Sequence, residues 1–355
     1  MSVSKRPNGR WRAQVETPAG QRAKIFVRKG DAQAWEGEQK AALRRGEFVD
    51  PVHGRITFAA FFDEWSKRQL WETGTQRAMS LAVRSVPFGD TPLAKIKRSH
   101  VEHWVKEMSS TLAPGTVTTR FNNVGTVFRG AVRDQVIGRN PTEGVKLPRQ
   151  RRREHALILP TPEQVQAVLD ASSDSFRTFV ALAAFAGLRL GEAAAVQVGD
   201  IDFEAKRLHV ARQVQRTNGH GVEIRAPKFG SERTIYLADQ LTDMLADHVR
   251  LHVGTEGVQW LFRGQGDDPP HQNSIGYLWR KAAAKAGVEG VKLHDLRHFY
   301  ASGLIAAGCD VVTVQRALGH ARATTTLNTY SHLWPSAEDR TRQAANNLMS
   351  NVRTD

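Results

Sequence analysis

Between Lys146 and Pro160 the chain reads KLPRQRRREHALILP, and its first ten residues or so are basic and without any hydrophobic period. Apolar periodicity is what assigns a segment to a helix or a strand and to a shared core. The stretch therefore predicts a linker, and the apolar patterns on either side of it predict separate cores. A chain of 355 residues is long for one ordinary domain and comfortable for two or three. Hydrophobic residues make up 40% of it, enough to fill those cores, which excludes a disordered chain. Arg149, Arg151, Arg152 and Arg153 lie in the linker, where they read either as solvated charge or as a strap along a phosphate backbone.

Two segments precede the linker. Residues 1–54 contain RWRAQVETPAGQRAKIFVRKG, where apolar and charged residues alternate around a turn at Pro18–Gly20, predicting a strand–turn–strand unit. A helix follows in DAQAWEGEQKAALRRGEF, with Asp31 as N-cap and Gly46 as stop. Arg6, Arg10, Arg12, Arg22, Lys24, Arg28 and Lys29 gather on the strand part. A small basic sheet of this kind can lay a face against DNA; the alternative is a solvated face on a small domain. Residues 55–148 read as all-helical. Thr57 caps TFAAFFDEWSKRQL and Ser99 caps KIKRSHVEHWVKEMSS. Val117, Phe121, Val124, Phe128 and Val132 then recur at helical spacing, and such stripes are core.

After the linker, residues 157–355 open on a capping box, with Thr161 as cap, Pro162 at the first position and Gln164 closing it. A buried helix in SFRTFVALAAFAG ends at Gly187. Three short strands are predicted in RLHVARQVQ, VEIRAPK and RTIYL, and helices over most of the rest. The expected fold class is multidomain and mainly α. It comprises a small N-terminal sheet with a helix, an all-helical domain, and a mostly helical domain with a small antiparallel sheet.

The net charge of +14 favours a polyanionic partner, most commonly nucleic acid. A single cysteine, Cys309, excludes an internal disulfide and fits a reducing compartment. MSVSKRPNGRWRAQ lacks the apolar centre of a signal peptide, and no run of about eighteen apolar residues occurs. A protein of the cytoplasm or nucleoid, with no membrane partner, is expected. Phosphate-cradling and dinucleotide glycine motifs are absent, as are paired cysteines and H-E-x-x-H, so neither a nucleotide cofactor nor a zinc site is expected. GDID, Gly199–Asp202, reads as a turn before a strand rather than a two-metal centre.

Cleavage of a phosphodiester without metal needs fixed cations for the phosphorane oxygens, and the planar fork of arginine suits them. It also needs a nucleophile from the protein if the bond is to be rejoined, and a proton donor for the leaving sugar oxygen. Tyrosine, with a phenol pKa of about 10, can both attack and leave. The third segment offers Arg189 in AGLRLGE, His294 and Arg297 three apart in HDLRHFYAS, and His320 and Tyr330 in LGHARATTTLNTY. Taken alone, an H-x-x-R pair arises often by chance. Of the four tyrosines, Tyr236 lies in a strand pattern, and Tyr277 and Tyr300 lie in apolar helix patterns. Those three read as core or partly buried, which leaves Tyr330 as nucleophile, with Thr324, Thr325 and Thr326 capping or turning the chain ahead of it.

AGLRLGE, HDLRHFYASGLIAAGCDVVTVQRALGH and TTTLNTYSHL, in that order, resemble the tyrosine recombinases, specifically the phage-type integrases. The likeness covers the third segment by motif and the first two by architecture. It implies an arm-type DNA-binding domain over residues 1–54, a core-binding domain over 55–148, a basic linker over 149–156 and a catalytic domain over 157–355. By the same likeness, Arg189 and Arg297 clamp the non-bridging oxygens and Lys228 protonates the leaving 5′ oxygen. His294 assists proton transfer to and from the tyrosine and the phosphate, His320 donates to a non-bridging oxygen, and Glu192 supports the first arginine. Tyr330 becomes linked to a 3′ phosphate. Val198 stands where many relatives place Trp, at a packing position.

DNA contacts are expected from Arg10, Arg12, Arg22, Lys24 and Arg28, and from Arg151, Arg152 and Arg153. The implied activity is cutting and rejoining of two duplexes at attachment-type sites through a Holliday junction, integrating and excising a phage or other mobile element. The implied assembly is a homotetramer on DNA, with an integration-host-factor-like bending protein and an excisionase as accessory partners. The tail after Pro335 reads as docking on a neighbouring protomer or as packing on its own domain. A type IB topoisomerase-like nicking–closing enzyme and a non-catalytic DNA-binding regulator stand as alternatives.

Overall fold

The computed structural model describes residues 3–17, 20–44, 53–148, 159–216, 221–227, 230–253, 259–264, 266–334 and 337–352. The chain separates into two compact units, Met1–Arg152 and Arg153–Asp355. Gly46, Arg151, Arg152, Arg153 and Lys228 lie outside the described residues. No helix among the described residues is long and apolar enough to cross a membrane.

In the first unit, β1 (Val3–Lys5), β2 (Trp11–Thr17) and β3 (Gly20–Phe26) form an antiparallel sheet in sequence order. Helix α1 (Lys29–Arg44) packs on one face, burying Ala13, Val15 and Ala32 and bringing the rings of Phe26 and Trp35 to 5.9 Å. The register pairs Arg12 with Ile25, Ala13 with Lys24 and Val15 with Arg22. Side chains alternate across a strand, so Arg12 stands on the open face while Arg22 and Lys24 share the face of Ala13 and Val15. The basic residues therefore do not form one continuous face of the sheet. Asp31 is a correction as well: α1 begins at Lys29, so Asp31 belongs to its first turn and suits the helix dipole there.

The helical part contains α2 (Phe58–Ser66), α3 (Thr73–Arg84), α4 (Arg98–Thr111) and α5 (Pro114–Arg133). Thr57 Oγ1 accepts the Ala60 amide at 3.2 Å, the cap its sequence predicts. Ser99 is not a cap. Lys97 holds the cap position of α4, and His100 Nδ1 accepts its amide at 3.2 Å. Phe58, Phe88, Trp104 and Phe128 meet edge-on or tilted at the centre of this core.

The second unit starts with α6 (Pro162–Ala171), where Thr161 and Gln164 complete the reciprocal capping box at 3.2 and 3.0 Å. Helix α7 (Asp174–Phe185) is buried almost all round, against α9 (Asp239–His252) and α11 (Leu293–Ala306). Helix α8 (Leu190–Ala194) follows. The stretch expected as one strand in RLHVARQVQ divides between two sheets. β4 (Ile201–Asp202), β5 (Arg207–Val210) and β8 (Arg233–Tyr236) make the first, while β6 (Gln213–Arg216) and β7 (Val222–Arg225) pair separately. Arg212, at the break, reaches Asp200 at 2.5 Å. Next come α10 (Gln272–Lys285), α12 (Val311–Leu318), α13 (Ala323–Tyr330) and α14 (Ala337–Val352). Besides the main core around Val180, Leu182, Leu208 and Leu245, a smaller one gathers Ala301, Ile305, Val314, Leu318 and Tyr330. The second cluster joins α11, α12 and α13, and the candidate site forms along its edge.

Candidate active site

Helix C-termini leave carbonyls without intrahelical partners and carry a partial negative charge. Two such ends organise this site. At the end of α12, three successive carbonyls each take an arginine: Ala317 accepts from Arg233 Nε at 2.9 Å, Leu318 from Arg297 Nη2, and Gly319 from Arg189 Nη2 at 3.2 Å. Just past the end of α7, the Gly187 carbonyl accepts from Arg297 Nη1 at 2.5 Å. Both glycines adopt left-handed φ, 63° at Gly187 and 61° at Gly319, which turns the chain sharply enough to present these carbonyls.

Glu192, 1% exposed, balances part of this charge. Its carboxylate accepts from Arg189 Nη1 at 2.6 Å and Arg233 Nη2 at 2.9 Å, and also from the Arg189 amide at 3.0 Å. Burial alone would raise its pKa, but the bond and charge of Arg233 and the charge of Arg189 overcome that and hold it at about 2. Arg297 is only 2% exposed. Burial, then Arg189, lowers its pKa to about 9, so it stays cationic at neutral pH. Three guanidinium groups against one carboxylate leave two positive charges in excess, the condition that suits an incoming phosphate diester.

The nucleophile candidate stands beside them. Tyr330 ends α13 and is 1% exposed, and burial pushes its phenol up to about 12, with Arg297 pulling the other way. Its hydroxyl lies 2.6 Å from Nδ1 of His298. His294, on the same helix one turn earlier, meets the His298 ring edge-on at 4.9 Å between centroids. His320 Nδ1 lies 2.9 Å from the buried Thr326 Oγ1. Burial and the neighbouring arginines lower His320 to about 4; burial and His294 do the same for His298. His294 is also lowered, by burial and Arg297. All three imidazoles are therefore neutral at pH 7. An open cleft lined by Ser231, Arg233, Gln315, Gly319 and His320 adjoins the site.

The structure thus gathers Arg189, Glu192, His294, Arg297, His320 and Tyr330 into one basic site. Lys228 is outside the described residues, though Gly230 and Ser231, just beyond it, line the cleft. Arg10 and Arg28 are exposed near the ends of the N-terminal strands, Arg12 is on β2, and Arg22 and Lys24 are on β3. Two readings of the tyrosines need correction. Tyr236 and Tyr277 are not core but 77% and 59% exposed, and Tyr330 is the most enclosed of the four. Nor do the threonines cap α13: its N-cap position is Arg322, and Thr326 turns inward to His320. Sequence reasoning missed Arg233 and His298, and it gave Thr326 a different role. His298 stands four residues from His294 and so shares its helix face, a visible signal, but its partner Tyr330 is 32 positions away. Nothing local marks Arg233, which is 41 positions from Glu192.

By fold, the chain is similar to a Tn1549 transposon integrase solved in complex with transposon right end DNA. The TM-score is 0.70 at 20% identity, over 83% of this chain and 100% of that one. A lambda integrase tetramer bound to a Holliday junction aligns with a TM-score of 0.60 at 16% identity, over 91% and 96%. The chain shares the fold of these two integrases. In sequence, the chain is 27% identical to a protein bearing the name prophage phiRv2 integrase in Mycobacterium tuberculosis, over 95% of this chain and 92% of the relative. It is 25% identical to the integrase of Mycobacterium phage D29, over 90% and 89%. The model of the phage integrase family matches residues 160–336. The chain belongs to this family and is a tyrosine site-specific recombinase.

Proposed function

We propose that the protein integrates and excises a phage or other mobile element, cutting and rejoining two duplexes at attachment-type sites by way of Tyr330. The observation that carries this reading is the enclosure of the Tyr330 hydroxyl in one basic site with Arg189, Arg297 and His320. Phosphate approaches the two arginines, whose bonds to Gly187, Leu318 and Gly319 hold the guanidinium planes while other N–H groups stay available for oxygen. His320 supplies a further donor through Nε2 when the Thr326 hydroxyl donates to its Nδ1. The phenol oxygen attacks phosphorus, the P–O5′ bond breaks, and Lys228 protonates the 5′ oxygen. The 3′-phosphotyrosyl link conserves the bond, so the 5′ hydroxyl of the partner duplex can displace the tyrosine without an external energy source. Two rounds pass through a Holliday junction. Because the Tyr330 side chain is enclosed, DNA docking must open the end of α13 enough for the hydroxyl to meet phosphorus.

The sequence patterns support assigning residues 1–54 to arm-type DNA sites, 55–148 to the core site, 149–156 to a linker along the backbone and 157–355 to chemistry. Arg10, Arg12, Arg22, Lys24, Arg28, Arg151, Arg152 and Arg153 contact DNA in this scheme. The functional assembly is a homotetramer on DNA in the bacterial cytoplasm, associated with the nucleoid. A bending protein of the integration-host-factor kind and an excisionase are its accessory partners. The test is a nicked duplex carrying the element's own attachment site, which traps the covalent intermediate on a denaturing gel. The wild type gives a protein–DNA band, and Tyr330→Phe binds the duplex as well but gives none. A band that persists in Tyr330→Phe would remove Tyr330 from this role. Relaxation of a plasmid without attachment sites would favour a nicking–closing enzyme instead.

A further inference from the structure

The recombinase site was expected to use His294 at the tyrosine. The hydrogen bond to the nucleophile belongs to another residue. His298 Nδ1 is 2.6 Å from the Tyr330 oxygen, with the two rings 5.6 Å apart and edge-on, while His294 meets the ring of His298. We infer that His298 is the general base of this chain: its Nδ1 takes the proton from Tyr330 as the phenol oxygen bonds to phosphorus, and returns it when the strand is rejoined.

The 2.6 Å separation puts the phenol hydrogen within direct reach of Nδ1. The phenol is protonated, and the His298 ring is neutral, so one of its nitrogens carries a lone pair. A Tyr330 O–H donating to Nδ1, with the ring hydrogen on Nε2, is the arrangement that carries the transfer. The groups facing His298 are His294, Asp295 and Arg297 on its own helix, Tyr330 from α13, and His320, on which His298 acts in turn. Burial, then His294 and Arg297, make His298 a weak base. The arriving phosphate brings a negative charge that strengthens it, and the phenol proton becomes strongly acidic as the oxygen bonds to phosphorus. The transfer is therefore late, with O–P formation. The balance is complete: the phenol O–P bond forms, P–O5′ breaks, the phenol proton moves to Nδ1, and the 5′ oxygen takes its proton from Lys228. Imidazolium at 298 then stands ready to reprotonate the phenolate on rejoining.

This inference rests on the tyrosine reading above, and its test separates the two. His298→Asn keeps an acceptor near the position of Nδ1 but cannot take a proton. Single-turnover cleavage of the nicked attachment-site duplex should fall by about 10²-fold or more in that variant, with duplex binding unchanged. Replacing Tyr330 by 3,5-difluorotyrosine, whose phenol ionises far more readily, should restore most of the lost rate in the His298→Asn background. A 5′-bridging sulfur leaving group, which needs no acid, should not restore it. The same fluorinated residue in the otherwise wild-type chain should flatten the acid side of the cleavage-rate profile, a readout that holds even if His298→Asn fails to fold. Near-wild-type cleavage by His298→Asn overturns the inference, as does an acid limb unmoved by difluorotyrosine. Absence of any covalent band in the wild type overturns the recombinase reading itself.

Discussion

Glu192, itself buried, holds the nearly enclosed Arg233 and the partly exposed Arg189 with one carboxylate, and removing it is the sharpest single-residue test of how the site stands up. Deleting one partner of a buried ion pair leaves uncompensated charge and costs about 3–5 kcal/mol. Glu192→Ala is therefore expected to lower unfolding free energy by that order, read from urea unfolding near pH 7, and to weaken cleavage further by releasing Arg189. The residues of the site were legible to different degrees. Arg189, His294, Arg297, His320 and Tyr330 stand inside short runs whose order in the chain can be read directly. Tyr330 was chosen because the other tyrosines looked buried, and the structure reverses that ground: Tyr236 and Tyr277 are open to solvent. Its place beside Arg297 and His298 supports the choice instead. Arg233 was invisible because its partners, Glu192 and Ala317, are 41 and 84 positions away, and no local pattern encodes such pairings.

Elements carry the site through their ends. Gly319 must keep φ at 61° to expose its carbonyl to Arg189, and a Cβ there would come within 2.9 Å of Arg233 Nη1. A left-handed residue with a side chain costs about 1–2 kcal/mol before that contact is counted. Gly319→Ala should therefore destabilise the second unit by at least that much and cut covalent-complex yield more than duplex binding, measured side by side. The histidines of α11 and the loop after α12 add a pH dependence. His298 and His320 are lowered to about 4, so between that value and their ordinary range near 6.5 the unfolded chain binds more protons than the folded one. Stability must then rise with pH across that window and be lost as pH falls through it. Urea midpoints at pH 7 should exceed those at pH 5, with a smaller difference in a His298→Asn, His320→Asn chain. At this scale, local signals were legible where the partners are local: Thr57 and the Thr161–Gln164 box cap as their spacing predicts. They failed where another group competed, as His100 does for the Lys97 amide, or where a non-local pair such as Asp200–Arg212 decides.

For the molecule as a whole, the mainly helical class and the small sheets followed from periodicity, whereas the fate of the C-terminal tail did not. Its mixed stripe allowed docking on a neighbour or packing on its own domain. Helix α14 leaves its described side chains, residues 341–351, exposed, with Leu348 at 68% and Met349 at 63%. An isolated helix of this length is marginal in water and gains its stability from packing of an apolar face. Exposed apolar side chains on such a helix favour the partner over its own domain, and a head-to-tail contact of that kind closes into a ring when the rotation permits. Truncation at Pro335 keeps Tyr330 and the elements that hold it, so it should leave duplex binding and the unfolding midpoint near wild type. Assembly on attachment-site DNA, followed by sedimentation, should shift from tetramer toward smaller complexes. A truncated chain that still forms the full tetramer would place α14 outside the assembly contact and return the tail to its own domain.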